Sequence, residues 1–122
     1  MRRNGKTERN EMNNDNPWVE MVEGVRRRTT VSGAAMSQMV VMLEAGRHLP
    51  EHRHAQEQIV HVVRGRLRVN VGGVPQEVGA GESLYLAGDV LHSVDVLAEA
   101  LVVDTFSPPR EDLLAQDAAA RG

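Results

Sequence analysis

The segment Ile59–Gly73, IVHVVRGRLRVNVGG, decides how this chain is read. In its second half Leu67, Val69 and Val71 alternate with Arg66, Arg68 and Asn70, so an extended strand there has one apolar face and one wet face. Glycine punctuates both halves. Gly65 reads as the end of the IVHVVRG run, and Gly72 with Gly73 supplies the residues of a tight hairpin connection. The same grammar recurs on either side, in GVRRRTTV, MSQMVVMLEA, PQEVGAG, ESLYLAG, LHSVDVL and EALVVDTF. Many short β-branched runs at close spacing predict an all-β sandwich or barrel.

A chain of 122 residues is one domain's length. The polar, Asn-rich residues 1–16 read as a flexible N-terminal arm, residues 17–114 as the barrel domain and residues 115–122 as a C-terminal tail. Apolar residues make up 41% of the chain but aromatics only 2%, so the core must be built from Val, Leu, Ile, Met and Ala. The helix-forming stretch DLLAQDAAARG, with Ser107 expected as its cap and Pro108 or Pro109 in its first turn, is too short to hold unless it docks.

Charge and composition exclude several classes of function. The net charge is −3, and Arg26, Arg27 and Arg28 form the one basic cluster, read as a solvated strand face. With one Phe, one Tyr and one Trp there is no aromatic platform for bases, so no nucleic-acid partner is expected. The absence of cysteine removes disulfides, thiolate metal sites and Cys nucleophiles. After MRR comes polar NGKTERNEMNND in place of an apolar signal segment, and no apolar run reaches membrane-spanning length. A cytoplasmic protein without a membrane partner is the expectation.

The chemistry gathers around HRHAQEQ. His52 and His54 share parity and would project from one face of an extended segment, and Gln58 has the same parity. A distant histidine, His92 in GESLYLAGDVLHSVDV, could close the set from across the barrel. Three imidazoles and one amide oxygen suit a divalent transition metal ion such as Zn, Ni, Fe, Mn or Cu, provided each ring is neutral and held in one tautomer. His61 has the opposite parity to Gln58 and is expected to point outward, while His48 is expected in a turn. Trp18 and Tyr85 read as core or pocket wall. On the last strand Asp104 and Phe106 share a face; burial by Phe106 would raise the Asp104 pKa, and a metal or Arg110 would lower it.

Gly46, five residues, His52-Arg53-His54, three more, Gln58, six more and Gly65 resemble the first motif of the cupin superfamily, with Gln where Glu is usual. Gly81, five residues, Ala87 and then His92 resemble the second, although Ala87 and Asp89 stand where Pro and Gly are common, and Val96 where Asn is. Asp104–Leu114, DTFSPPREDLL, is similar to the C-terminal signature of the small KdgF-type cupins of uronate breakdown. The resemblance implies a jelly-roll β-barrel of antiparallel strands and a homodimer, which would also cover the sheet edges. It implies a metal held by His52, His54, Gln58 and His92, with Asp104, Phe106 and Arg110 taking part in catalysis. The implied reaction opens the ring of a 4,5-unsaturated monouronate to its linear 4-deoxy-5-keto form, a small carboxylated sugar being the substrate. An amide ligand leaves the ion its full charge and makes it a stronger Lewis acid, and Arg110 could grip a carboxylate bidentately. Two other readings remain open from the residues: a metal-cupin enzyme such as a dioxygenase or polyketide-cyclase-like protein, and a ligand-binding or sensing cupin without turnover.

Overall fold

The computed structural model describes residues 16–122; the rest of the expected arm, residues 1–15, lies outside them. Asn16, the arm's last residue, donates its amide to the Thr29 carbonyl at 3.0 Å. Eight strands follow: β1 Val19–Val22, β2 Val25–Ser32, β3 Ser37–Leu43, β4 His48–His52, β5 Glu57–Val71, β6 Val74–Gly79, β7 Ser83–Leu86 and β8 His92–Ser107. One helix, α1 Glu111–Arg121, ends the chain. All strand pairs are antiparallel, as expected of an all-β barrel.

β5 and β8 organise the fold. They pair from Glu57 opposite Ser107 to Val71 opposite His92, with register breaks between Val62 and Leu67. One arm of this ribbon is flanked by β3 and β7, with β2 and β1 beyond β3; the other arm is flanked by β4 and β6. Each arm is thus the centre of one sheet, and Val60, Val62 and Val102 of the first meet Leu67, Val69 and Val96 of the second in one core cluster. Gly65 therefore does not close a strand, contrary to the sequence reading; it is the corner inside one. Its φ is +94°, and a Cβ there would lie 2.2 Å from the Glu99 carbonyl oxygen and 2.6 Å from Ala100 Cα. The irregularity also resets phase. Gln58, Val60 and Val62 are buried before it, Leu67 and Val69 after it. The expected hairpin does form: Val71 pairs with Val74 across Gly72 and Gly73, whose φ values of 56° and 86° suit a type I′ turn.

The arginine run is not a uniform solvated face. Arg26 and Arg28 face outward over the Trp18 ring, at 5.5 and 5.9 Å. Arg27 shares parity with Val25 and Thr29, points inward and is 0% exposed. Its Nη1 meets Asp117 Oδ1 at 2.8 Å, and its Nη2 donates to the Leu113 carbonyl and to Gln116 Oε1, both at 3.1 Å. The Thr29 hydroxyl donates to the other Asp117 oxygen at 2.6 Å. This network is what docks α1, with Leu113 packed against Met39 and Phe106.

Five smaller expectations also change. Ser107 does not cap the helix: its hydroxyl donates to the Ala35 carbonyl at 2.8 Å, Arg110 stands at the cap position, and Pro108 and Pro109 precede the helix. Trp18 and Tyr85 are 38% and 57% exposed and so are neither core nor pocket wall. Tyr85 instead donates to Glu57 at 2.9 Å on the outer face. His48 opens β4 opposite Asp95, not a turn, whereas His61 does lie outward, its Nδ1 2.8 Å from Ser83 Oγ. Among the described residues no helix is long and apolar enough to cross a membrane.

Two stability predictions follow from the corner and the latch. Gly65→Ala should cost about 3 kcal/mol or more in urea unfolding, because positive φ and a backbone clash coincide. Gly73→Ala, with positive φ but open space around it, should cost only about 1 kcal/mol; equal losses would show that the close approach at Gly65 is unimportant. Asp117→Ala should cost about 3 kcal/mol by leaving the Arg27 charge buried and alone, while the double replacement Arg27→Met with Asp117→Leu should recover most of that loss.

Candidate metal centre

The strand ladder brings the histidines together. His52 ends β4 directly opposite His92, the first residue of β8. His54 follows in the loop before β5, and that loop is clamped to the β7–β8 turn by the Asp89 amide, which donates to the His54 carbonyl at 2.7 Å. Asp89 adopts φ 64°, a left-handed conformation that Asp tolerates better than most residues, so its departure from the usual Gly preserves the turn. The ring centroids of His52 and His92 lie 4.2 Å apart, those of His54 and His92 5.0 Å, and those of His52 and His54 5.8 Å.

Each ring is oriented by a backbone carbonyl. Nδ1 of His52 faces the Pro50 oxygen at 2.9 Å, Nδ1 of His54 the Gln56 oxygen at 3.0 Å, and Nδ1 of His92 the Val90 oxygen at 2.9 Å. A carbonyl can only accept, so each Nδ1 carries the proton and each Nε2 is left as a lone pair. One ligating atom of each ring lies within 4.8 Å of the others. At His54 and His92 protonation does not relieve this convergence. Burial, and then the charge of Arg110, holds the His54 pKa down to about 4, and burial also lowers that of His92. His54 Nε2 is buried with no hydrogen-bond partner. Converging lone pairs with tautomers set from behind are the donor set a metal ion requires, so the three-histidine group could hold one.

The remaining candidates line the same pocket: His52, His54, Gln58, His92, Asp104, Phe106 and Arg110 all contribute to its wall. On β5 Gln58 stands opposite Phe106, and Val60 opposite Asp104. The balance at Asp104 that sequence could not strike is decided by burial, which pushes its pKa up to about 6 against a hydrogen bond from Gln58 and the charge of Arg110. Asp104 Oδ1 is buried and has no partner. The Phe106 ring stands edge-on to His54, 5.6 Å between centroids, and the Arg110 guanidinium lies 5.1 Å over its face. Gln56 ties the histidine loop to the terminal motif by donating to the Pro109 carbonyl at 3.1 Å.

Sequence reasoning passed over Asp112. Its carboxylate takes Arg110 Nε at 3.0 Å and Nη2 at 2.9 Å. The available signal was an acid two residues after the arginine in the first turn of a helix.

Known proteins share this arrangement of the chain. The chain is 27% identical over 105 residues to the pectin degradation protein KdgF of Dickeya dadantii, covering 84% of this chain and 96% of that protein. Among solved structures it resembles KdgF from Halomonas sp. (25% identity, TM-score 0.76, 83% of this chain and 94% of that one). It also resembles an RmlC-like cupin from Shewanella frigidimarina (27% identity, TM-score 0.75, 81% and 89%). The barrel is therefore the RmlC-like jelly roll anticipated from its motifs. The cupin domain model matches residues 39–105, the span from β3 through the three histidines to near the end of β8, and with more than half of its length so matched the chain belongs to the cupin family.

Proposed function

We propose that this protein is a metal-dependent, non-redox enzyme that opens the ring of a 4,5-unsaturated monouronate to the linear 4-deoxy-5-keto form. The observation that carries the proposal is Asp104: a buried carboxyl with one unpartnered oxygen, its pKa near 6, sharing one pocket with three converging imidazoles. The likeness to KdgF proteins at 25–27% identity supports the choice of substrate.

His52, His54 and His92 would hold the ion, and Gln58 would supply the fourth ligand through its carbonyl oxygen while its amide N–H stays on Asp104. When bound, the ion acts as a Lewis acid on substrate oxygens, at full charge because all four ligands are neutral. The reaction is an isomerisation: the C1 hydroxyl loses its proton, C1=O forms, the bond from C1 to the ring oxygen breaks, and C4 gains a proton as C5 becomes a ketone. Asp104 accepts the hydroxyl proton as the carboxylate and returns it to C4 as the acid. A pKa near 6 suits both directions of transfer at neutral pH. Phe106 keeps water from this carboxyl, and Arg110 anchors the substrate carboxylate.

The direct test follows unsaturated galacturonate by NMR. Metal-loaded protein should convert it faster than buffer does, chelation should abolish the acceleration, and reloading should restore it; saturable binding without product would instead identify a binding protein. Asp104→Asn should lower turnover at least about a hundredfold while metal content is retained. The same variant has a stability signature in metal-free protein. Because the folded-state pKa of Asp104 lies above the ordinary 3.8, the wild type loses stability as pH rises through that interval. Asp104→Asn should therefore be the more stable form above about pH 6, by up to about 3 kcal/mol, with the difference vanishing near about pH 4.

A further inference from the structure

Arg110 carries five N–H donors in a rigid fork, and the structure divides them. Asp112 takes Nε and Nη2, the side-on edge, through two short charge-assisted bonds. Nη1 has no hydrogen-bond partner among the described residues, so the end-on edge formed by Nη1 and Nη2 is intact as a second bidentate fork. The two partners sit at different depths: the Arg110 side chain is 13% exposed and that of Asp112 59%. The acid lies on the solvent side, and the arginine lines the pocket with its face on Phe106. An arginine side chain has several rotatable bonds and ordinarily loses considerable freedom when it grips a ligand. Here the Phe106 ring supports one face, the carboxylate closes one edge, and Asp112 is itself held in the first turn of a helix latched by Arg27 and Asp117.

We propose that Asp112 is a positioning residue: it immobilises the side-on edge of Arg110 so that the end-on edge is presented to the planar carboxylate of a small ligand in the pocket. The inference rests on the reading of Arg110 as a carboxylate anchor, and it gives a role to a residue of the terminal motif beyond Asp104, Phe106 and Arg110. Geometry also distinguishes it from the opposite role, in which Asp112 would occupy the place of the ligand carboxylate and be displaced by it. In that case the acid would lie inside the pocket, whereas its side chain is 59% exposed and it does not contribute to the pocket wall. Repulsion between Asp112 and a bound carboxylate is weakened by the water around the exposed acid.

The test compares galacturonate with galactose, its uncharged counterpart, by calorimetric titration of the metal-loaded protein. Wild type should prefer galacturonate. Asp112→Ala should weaken galacturonate binding about tenfold with galactose unchanged, and Asp112→Glu, which can still span the fork, should restore most of the preference. In turnover of unsaturated galacturonate, Asp112→Ala should raise KM by a similar factor and leave kcat nearly unchanged. Tighter galacturonate binding in Asp112→Ala would assign the displaced-competitor role and overturn the proposal. An unchanged galacturonate preference in that variant, or none in wild type, would overturn it as well. A wild type that prefers galacturonate but does not convert the unsaturated sugar, with the preference lost in Asp112→Ala, would sink the proposed reaction and uphold Asp112 as the positioning residue.

Discussion

The close approach of Gly65 to the Glu99 carbonyl is the contact on which the rest of the molecule depends. His92 and Phe106 belong to the same strand, fourteen residues apart. Straight, that strand would separate them by about 46 Å, yet both rings lie against His54, with centroid distances of 5.0 and 5.6 Å. The β5–β8 ribbon must fold over on itself for this to happen. It does so where a residue without a side chain lets one strand's backbone pass within a Cβ radius of the other. The phase reset at the same point turns Gln58 and Val60 inward on one arm and Leu67 and Val69 inward on the other, so one irregularity yields two sheets, a shared core and a common mouth.

The second constraint is electrostatic and lies beneath the site. A buried Arg27 is tolerable because Asp117, Gln116, the Leu113 carbonyl and Thr29 surround its guanidinium. Such a pair adds little net stability but penalises any other seating of the helix, since misplacement would strand two charges. α1 is thereby fixed relative to β2, and Arg110 at its start is fixed relative to Phe106. The pocket then has a consistent charge pattern. His54 and His92 are kept neutral by burial and by the nearby cation. Asp104 is held near its titration point because burial outweighs that same cation and the Gln58 amide. Asp112 at the rim partners the cation without entering the pocket.

Much of this was legible before any coordinates. The alternation of Leu67, Val69 and Val71, the Gly72-Gly73 hairpin and the β-branched runs announced an all-β barrel, since strand faces and I′ turns depend on local stereochemistry. The histidine spacing was readable for a similar reason: ladder partners and neighbours in a loop converge by local geometry once a barrel is assumed. Other features were misread because they depend on what lies across the fold. Arg27 looks like Arg26 and Arg28 until Asp117, ninety residues away, arrives beside it. Gly65 looks like a strand end because glycine marks turns and corners alike. Ser107 looks like a cap until the Ala35 carbonyl takes its hydroxyl. Trp18 and Tyr85 look like core residues by composition, but they cover outer strand surface, one beneath two arginines and one bonded to Glu57.

By itself the sequence determined the strand faces and the hairpin, because these follow from residue type and parity, while the resemblance of its motifs singled out the histidines, Gln58, Asp104, Phe106 and Arg110. Tertiary structure alone decided that β5 and β8 each serve two sheets, that Arg27 is buried, that burial prevails at Asp104, and that Asp112 holds one edge of Arg110. Each of these is a competition between groups far apart in the chain. Desolvation, close backbone approach and charge pairing have no sign or size until the fold has set the distances.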